Sequence, residues 1–422
     1  MFIGSNEIAN QVESDSTMRM ISWSNCTVEE KNSQENVNIL WSKSFVFLIM
    51  VSLITAMGFN MIYTTISKYA MDIKGSLAVA GVVSGIFSVV ALVVRPFAGL
   101  ATDIFNKKRL LIAANLLIGL SVAGYAFSSN ISLLYLFRIL HGISFGISST
   151  VNIALVSVFI PKERLGEGMG YYGIGQVIAS IIGPNIGIYV IDKAGFRLLF
   201  FITAILSFLS AILLLFLPYK NEVKQAFSRV GKMALKPLIA KEVIVYALIG
   251  GMFSFGNGIV SAFLLLLAKE RNILNVGIFF SVGAAVVFVL RMFVGRIVDR
   301  NGLTAVVNIS LILSAISMVL IGVAPALWLL IAASVLKAVG QGGGQLSLQA
   351  ECIRRVDASR VGVAVSTFYI GADIGQGLGP VFGGAISDTY NYTVMFMICA
   401  LLISASIAVF NIYQKRTAQK SV

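Results

Sequence analysis

Twelve stretches of about 20 or more predominantly apolar residues follow one another along this chain, separated by short polar breaks. Their approximate spans are 44–66, 77–101, 109–128, 131–158, 168–191, 197–218, 242–266, 274–298, 304–324, 326–350, 361–386 and 392–412. A helix needs about 20 apolar residues to cross a bilayer, and inside lipid only helices and closed barrels satisfy every backbone polar group. The runs are too long for the period-two alternation of a transmembrane β-barrel. The expected fold class is therefore an all-α membrane protein with twelve transmembrane helices. Composition agrees, because 12% of the 422 residues are charged and 57% are hydrophobic. A soluble domain carries roughly a quarter charged residues, so an ordinary water-soluble enzyme is excluded. The formal net charge of +13 does not point to nucleic acid, since the basic residues sit in short loops between apolar runs.

The chain divides by composition into a polar tail at 1–43, a first six-helix bundle at 44–218, a basic linker at 219–241, a second six-helix bundle at 242–412 and a short tail at 413–422. The N-terminal tail has no apolar core of signal-peptide length. Basic residues crowd the segments that share a side with this tail, whereas the opposite side holds Lys68, Lys74, Lys193, Arg197, Lys269 and Arg271. The positive-inside rule then places both termini in the cytoplasm of a multi-pass cell-membrane protein. The linker is expected to lie along anionic headgroups.

The two bundles repeat one another. A shift of 196 positions superimposes Arg95 on Arg291, Gly99 on Gly295, Asp103 on Asp299, Gly183 on Gly379, Pro184 on Pro380 and Gly187 on Gly383. Six spans per half leave both halves entering the membrane from the same side. They are then parallel repeats with a cavity between them, a geometry that permits rocking about the central seam.

Polar side chains sunk in the apolar runs mark candidate sites. Arg138, in the fourth span, begins a stripe with His141, Phe145, Ser149 and Asn152, at spacings that return to nearly the same helix face. Arg138 faces either a cavity or backbone carbonyls. His141 is the single histidine, so it cannot build a metal site; it serves as a proton relay or as a hydrogen-bonding group. Lys337, Gln341 and Gln345 share a face of the tenth span, and Tyr369, Asp373 and Gln376 share one of the eleventh. Gln176 and Asn257 add uncharged polar groups in the fifth and seventh. An Asp373–Lys337 pair between adjacent spans would lower the cost of burying both, and a proton arriving at Asp373 would break it. Cys26, Cys352 and Cys399 are too few and scattered for disulfides or a zinc cluster. No phosphate-binding loop, zincin motif, nucleophile elbow or dinucleotide fingerprint stands out. No cofactor or metal is expected, and any driving force comes from an ion gradient.

The segment Gly99-Leu-Ala-Thr-Asp103-Ile-Phe-Asn-Lys107-Lys108-Arg109 resembles the loop motif of the major facilitator superfamily, and Gly295-Arg-Ile-Val-Asp299-Arg300 resembles its second copy. Arg138-Ile-Leu-His141-Gly142 is similar to the fourth-span motif, with His141 in place of Gln. Gly183-Pro184-Asn-Ile-Gly187 resembles the antiporter motif Gly-Pro-x-x-Gly-Gly, which Gly379-Pro380-Val-Phe-Gly383-Gly384 matches in full. Ile104, Asn106 and Ile188 depart from these patterns, and the first span lacks the acidic residue that some polyspecific cation exporters carry near Asn60.

The resemblance is to the twelve-span drug:proton antiporter branch. It implies a secondary transporter, not an enzyme, that moves a small organic solute by alternating access, with proton-coupled efflux as the leading reading. The alternative is proton-coupled movement of an anionic or zwitterionic metabolite. Protons, the solute and membrane lipids are the expected partners of a monomeric chain. Arg95, Gly99, Asp103, Lys107, Lys108, Arg291, Gly295, Asp299 and Arg300 are assigned to gating, with Asp103 either facing the start of the eleventh span near Arg360 or pairing with Arg95, Lys107 or Lys108. The Gly-Pro segments are assigned to close helix packing and, through the resemblance, to control of leak.

Overall fold

The computed structural model describes residues 40–161, 164–219, 240–291, 293–356 and 361–420. The tail before Leu40 and most of the expected linker lie outside the described residues. Polar residues in the breaks start the helices: Ser42, Ser76, Asn106 and Asn130 each accept a hydrogen bond from the backbone N–H three residues on. Such caps satisfy donors that a helix end otherwise leaves orphaned.

Helices α1 (Lys43–Tyr63) and α2 (Ile66–Lys74) make the first span. The bend between them carries Thr64 and Thr65, whose hydroxyls donate back to the Asn60 and Met61 carbonyls, an arrangement that bends helices. Then come α3 (Leu77–Ile104), α4 (Lys107–Tyr125) and α5 (Ile131–Val156). Helix α6 (Leu165–Leu215) has 51 residues and as one straight rod would reach about 77 Å, more than twice a hydrocarbon core. It turns at Gly195 (φ 79°, ψ 174°), a backbone conformation only glycine adopts without strain, and so supplies the fifth and sixth spans.

The second half repeats the plan with α7 (Ile244–Glu270), α8 (Gly277–Arg291), α9 (Val294–Asn301), α10 (Leu303–Val323), α11 (Leu327–Arg354), α12 (Val361–Thr389) and α13 (Tyr392–Lys420). The eighth span, read from sequence as one helix, is broken near Phe293 into α8 and α9. Nine described helices are long and apolar enough to cross a membrane. Counting both arms of α6, and adding α8 and α12, gives twelve spans.

Each half has its own buried core. Phe45, Leu48, Leu155 and Leu214 pack near the terminal end of the first half, and Met61, Tyr125, Leu134 and Phe200 near its other end. Tyr246, Phe263, Leu311, Phe396 and Phe410 belong to one cluster in the second half. Outward-facing positions stay apolar, with Leu120, Ile205 and Leu401 each at least 60% exposed, as a lipid-facing surface requires.

The halves meet along two seams, α3 against α12 and the first arm of α6 against α8. Helix α3 starts at the face opposite the termini, and there the seam is tight. A Cβ on Gly81 would strike the Pro380 carbonyl, and one on Gly85 the Gly377 carbonyl. A Cβ on Gly384 would stand 3.1 Å from Gly81 Cα. Asn185 donates to Ser281 Oγ at 2.7 Å across the other seam. The Asp388 carboxylate accepts from the Leu77 N–H at 2.9 Å, a favourable position for an anion at a helix N-terminus. Lys269 stands 3.8 Å from Asp72. Toward the terminal face α3 and the residue that follows it are uncovered, with Val93 60%, Phe97 67% and Phe105 61% exposed. The conformation is closed at the far face and open toward the termini.

Candidate substrate cavity

Between the halves lies a cavity of about 480 Å³. Its walls include Asn60 and Tyr63 from α1, Asn257 and Ser261 from α7, Phe279, Phe280 and Arg291 from α8, and Lys337, Gln341, Gln345 and Gln349 from α11. A second lobe of about 270 Å³ is lined by Phe87, Ser88 and Arg95 of α3, Phe145 of α5, and Asp373 and Gln376 of α12. Asn60, Tyr63 and Asn257 border both lobes. A volume of a few hundred cubic ångström with aromatic walls and a few convergent polar groups suits a small organic molecule.

A chain of hydrogen bonds organises the polar wall. The Lys337 ammonium donates to Asn257 Oδ1 and to Gln341 Oε1, both at 2.8 Å. Asn257 Nδ2 donates to Gln376 Oε1 at 3.1 Å. Gln341 continues to Gln345 at 3.3 Å, and Gln345 to Ser254 Oγ at 2.9 Å. Farther along, Gln349 donates to the Tyr369 hydroxyl at 3.1 Å. The four-residue spacing of Lys337, Gln341, Gln345 and Gln349 is what aims them all at one cavity.

Asp373 pairs across the seam. Its Oδ2 is 3.1 Å from Arg95 Nη1, so the partner belongs to α3 of the other half, where the sequence pointed to Lys337. The contact is ionic more than directional: buried Asp373 Oδ2 and Arg95 Nε have no well-aligned hydrogen-bond partner among the described residues. Arg95 itself, expected at the gate with the loop motif, sits in the cavity wall. The reason is depth. Arg95 lies nine residues before the end of α3, about 14 Å inside the helix terminus.

The fourth-span stripe points elsewhere. Arg138 is 1% exposed, donates from Nε to the Val83 carbonyl at 2.8 Å and stacks its guanidinium 4.4 Å over Phe87. It lines neither lobe. His141, 2% exposed, shares a 2.9 Å hydrogen bond between Nδ1 and the Tyr125 hydroxyl. Asn152 bonds Ser52 at 3.0 Å and Tyr172 at 3.3 Å, inside the first half. Gln176, one turn after Tyr172, borders neither lobe. Of that face only Phe145 reaches the cavity.

At the expected gate, Lys108 donates to the Leu215 and Leu217 carbonyls at 2.9 and 2.8 Å, closing the C-terminal end of α6, where a cation is favourable. A Cβ on Gly99 would meet open space. The side chain of Asp103 and all of Arg360 lie outside the described residues, as does Gly295 beyond its backbone, so their expected contact does too. Lys107 opens α4. Asp299 and Arg300 are exposed and make no ion pair with described residues. Arg291 lines the cavity mouth, and a Cβ on Gly173 would come within 3.2 Å of its Nη1.

The Gly-Pro segments pack equivalently in the two halves. A Cβ on Gly183 would stand 2.7 Å from Asn60 Cβ, and one on Gly187 2.7 Å from the Met61 carbonyl, both on α1. One on Gly379 would strike the Phe255 carbonyl, and one on Gly383 would lie 3.2 Å from Ile259, both on α7. Pro184 also borders the larger lobe.

The cavity residues that sequence reasoning passed over are mostly uncharged: Tyr63, Ser261, Phe279, Phe280 and Phe368. Nothing separates them from ordinary helix residues until the facing helix is known. The one available signal was the helical phase that Ser261 shares with Asn257, four residues before it on α7.

The chain has known relatives in sequence and in fold. The multi-drug resistance efflux pump PmrA of Streptococcus pneumoniae is 25% identical over 407 residues, covering 93% of this chain and 98% of that protein. The multidrug resistance protein MdtG of Escherichia fergusonii is 23% identical over 402 residues, covering 90% and 95%. The solved structure of the nucleoside transporter NupG shares the fold with a TM-score of 0.70 at 16% identity, covering 87% of this chain and 98% of that one. The model of the Major Facilitator Superfamily matches residues 48–307 and 246–422. Twelve spans in two parallel halves, a polar cavity on the seam and this match over almost the whole described chain have one reading: the chain belongs to the major facilitator superfamily.

Proposed function

We propose that this transporter exports a small organic solute in exchange for protons, with the terminal face in the cytoplasm and Asp373 as the site where proton and conformation meet. The observation that carries the reading is the Arg95–Asp373 ion pair, which joins the two halves inside the cavity. Arg95, Asp373 and the Tyr63 phenol are the charged or titratable groups facing that lobe. The carboxylate holds Arg95 only when ionised. Protonation removes the attraction, so a proton binds more weakly to the paired conformation and favours any conformation in which the pair is broken. An attraction of roughly 1–3 kcal/mol, between an exposed pair and a buried one, is enough to shift a conformational equilibrium by about five- to a hundredfold.

The basic loops support a cytoplasmic terminal face, and the efflux function named for PmrA and MdtG supports the outward direction. The experiment is solute flux in reconstituted vesicles under an imposed pH gradient. Asp373→Asn is expected to abolish the gradient's effect while leaving downhill exchange. Gradient-driven flux that persists in Asp373→Asn overturns the assignment.

A further inference from the structure

Charge is distributed unevenly between the two lobes, and from this we infer that the solute is an organic anion with an aromatic or similarly bulky apolar body. Lys337 anchors its carboxylate or sulfonate. The inference rests on the reading that the solute occupies this cavity.

The larger lobe contains two cationic side chains, Lys337 from α11 and Arg291 at the mouth, and no Asp or Glu among its lining residues. The acid of the cavity, Asp373, lies in the smaller lobe and already has Arg95 opposite it. Neutral amide oxygens from Asn257 and Gln341 take two of the three Lys337 N–H directions. They orient the ammonium without cancelling its charge, and one N–H remains for a ligand.

An uncompensated cation sunk in a membrane protein is costly, and an anionic ligand offsets that cost where a cationic one adds to it. Around this point the lobe offers further donors, Asn60, Tyr63 and Gln345, and an apolar wall of Phe279, Phe280 and Phe368. The arrangement thus provides one charged head site beside an aromatic body site. Its volume, about 480 Å³, accommodates a bicyclic carboxylate with room to spare.

Three probes with the same ring and different head charges test this on the full-length protein in lipid nanodiscs, by titration calorimetry without any gradient: 1-naphthoate, 1-naphthamide and 1-naphthyltrimethylammonium. The naphthoate is expected to bind about tenfold or more tightly than either other probe. Lys337→Gln brings it down to the amide's level, whereas Lys337→Arg keeps the preference. Arg291→Gln, at the exposed mouth, weakens the naphthoate severalfold and leaves the amide unchanged.

The wild-type ranking decides the matter even if a Lys337 variant fails to fold. Equal or tighter binding of the ammonium probe, or no binding of naphthoate at millimolar concentration, overturns the inference. The ranking needs no proton coupling, so a correct ranking with no gradient-driven flux overturns only the proposed exchange. Coupled flux with the opposite ranking overturns only the anion assignment.

Discussion

Arg138 and Asp373 show how far a charged residue within an apolar helix can be read from sequence. Both were visible as costly charges with a necessary partner, and their depth followed from helix rise. Which partner each takes depends on the rotation of its helix and on the neighbour across from it, and neither is encoded locally. Arg138 turns into its own half, where the Val83 carbonyl and the Phe87 face receive it. Asp373 turns outward to Arg95 of the other half. His141 follows Arg138 inward: between Tyr125 and Phe87 its surroundings are those of a sealed hydrogen bond. Replacing His141 with Gln is therefore predicted to leave flux within about twofold of wild type and its pH profile unshifted. Tyr125→Phe leaves one polar group unpaired and costs about 1 kcal/mol, measurable as a lower melting temperature in detergent without a change in pH profile. A displaced pH profile in either variant would return His141 to the proton path.

Helix α12 carries two glycine faces with different duties. Gly371, Gly375, Gly379 and Gly383 recur every four residues and lie against α7 of the same half, where a Cβ on Gly375 would strike the Gly251 carbonyl. Gly377 and Gly384, seven residues apart, lie against α3 of the other half. Small residues allow this approach in lipid, where helices associate by packing and not by escape from water. The two faces are predicted to respond differently. Gly375→Ala forces a shift inside one half and is expected to lower thermal stability by about 1–3 kcal/mol. Gly85→Val pushes α3 away from α12 and is expected to leave stability nearly intact while making the far face accessible to a membrane-impermeant thiol reagent at Ser261→Cys. Unchanged labelling would mean that this seam does not govern closure. The intra-half face was legible, because the Gly-Pro motif repeats at 196 residues. Gly81, Gly85 and Gly377 were not, since a lone glycine has no signature until its facing backbone is known. The break of the eighth span near Phe293 was hidden for a similar reason: no proline or polar run marks it.

At the scale of the molecule, twelve spans, their parallel duplication and a cavity on the seam were all legible, because lipid leaves the backbone so few alternatives. Which face would be closed was not, since both ends of the seam carry charges. The structure gives the far face a set of locks: Asp388 on the N-terminus of α3, Lys269 near Asp72, and the Asn185–Ser281 bond. A carboxylate at a helix N-terminus contributes roughly 0.3–1 kcal/mol. Asp388→Asn should therefore raise the far-open population by up to about fivefold.

The most direct test of the account measures both faces at once. Spin labels at Lys74 and Tyr390 span the far face, and labels at Phe105 and Arg354 the terminal face; all four positions are exposed. Distances are measured by pulsed electron resonance, in a background lacking Cys26, Cys352 and Cys399. If breaking the Arg95–Asp373 pair drives rocking, acidification lengthens the first distance and shortens the second, and Asp373→Asn holds the acidic pair of distances at every pH. Wild-type distances that ignore pH, or an Asp373→Asn variant that still follows it, would contradict the account.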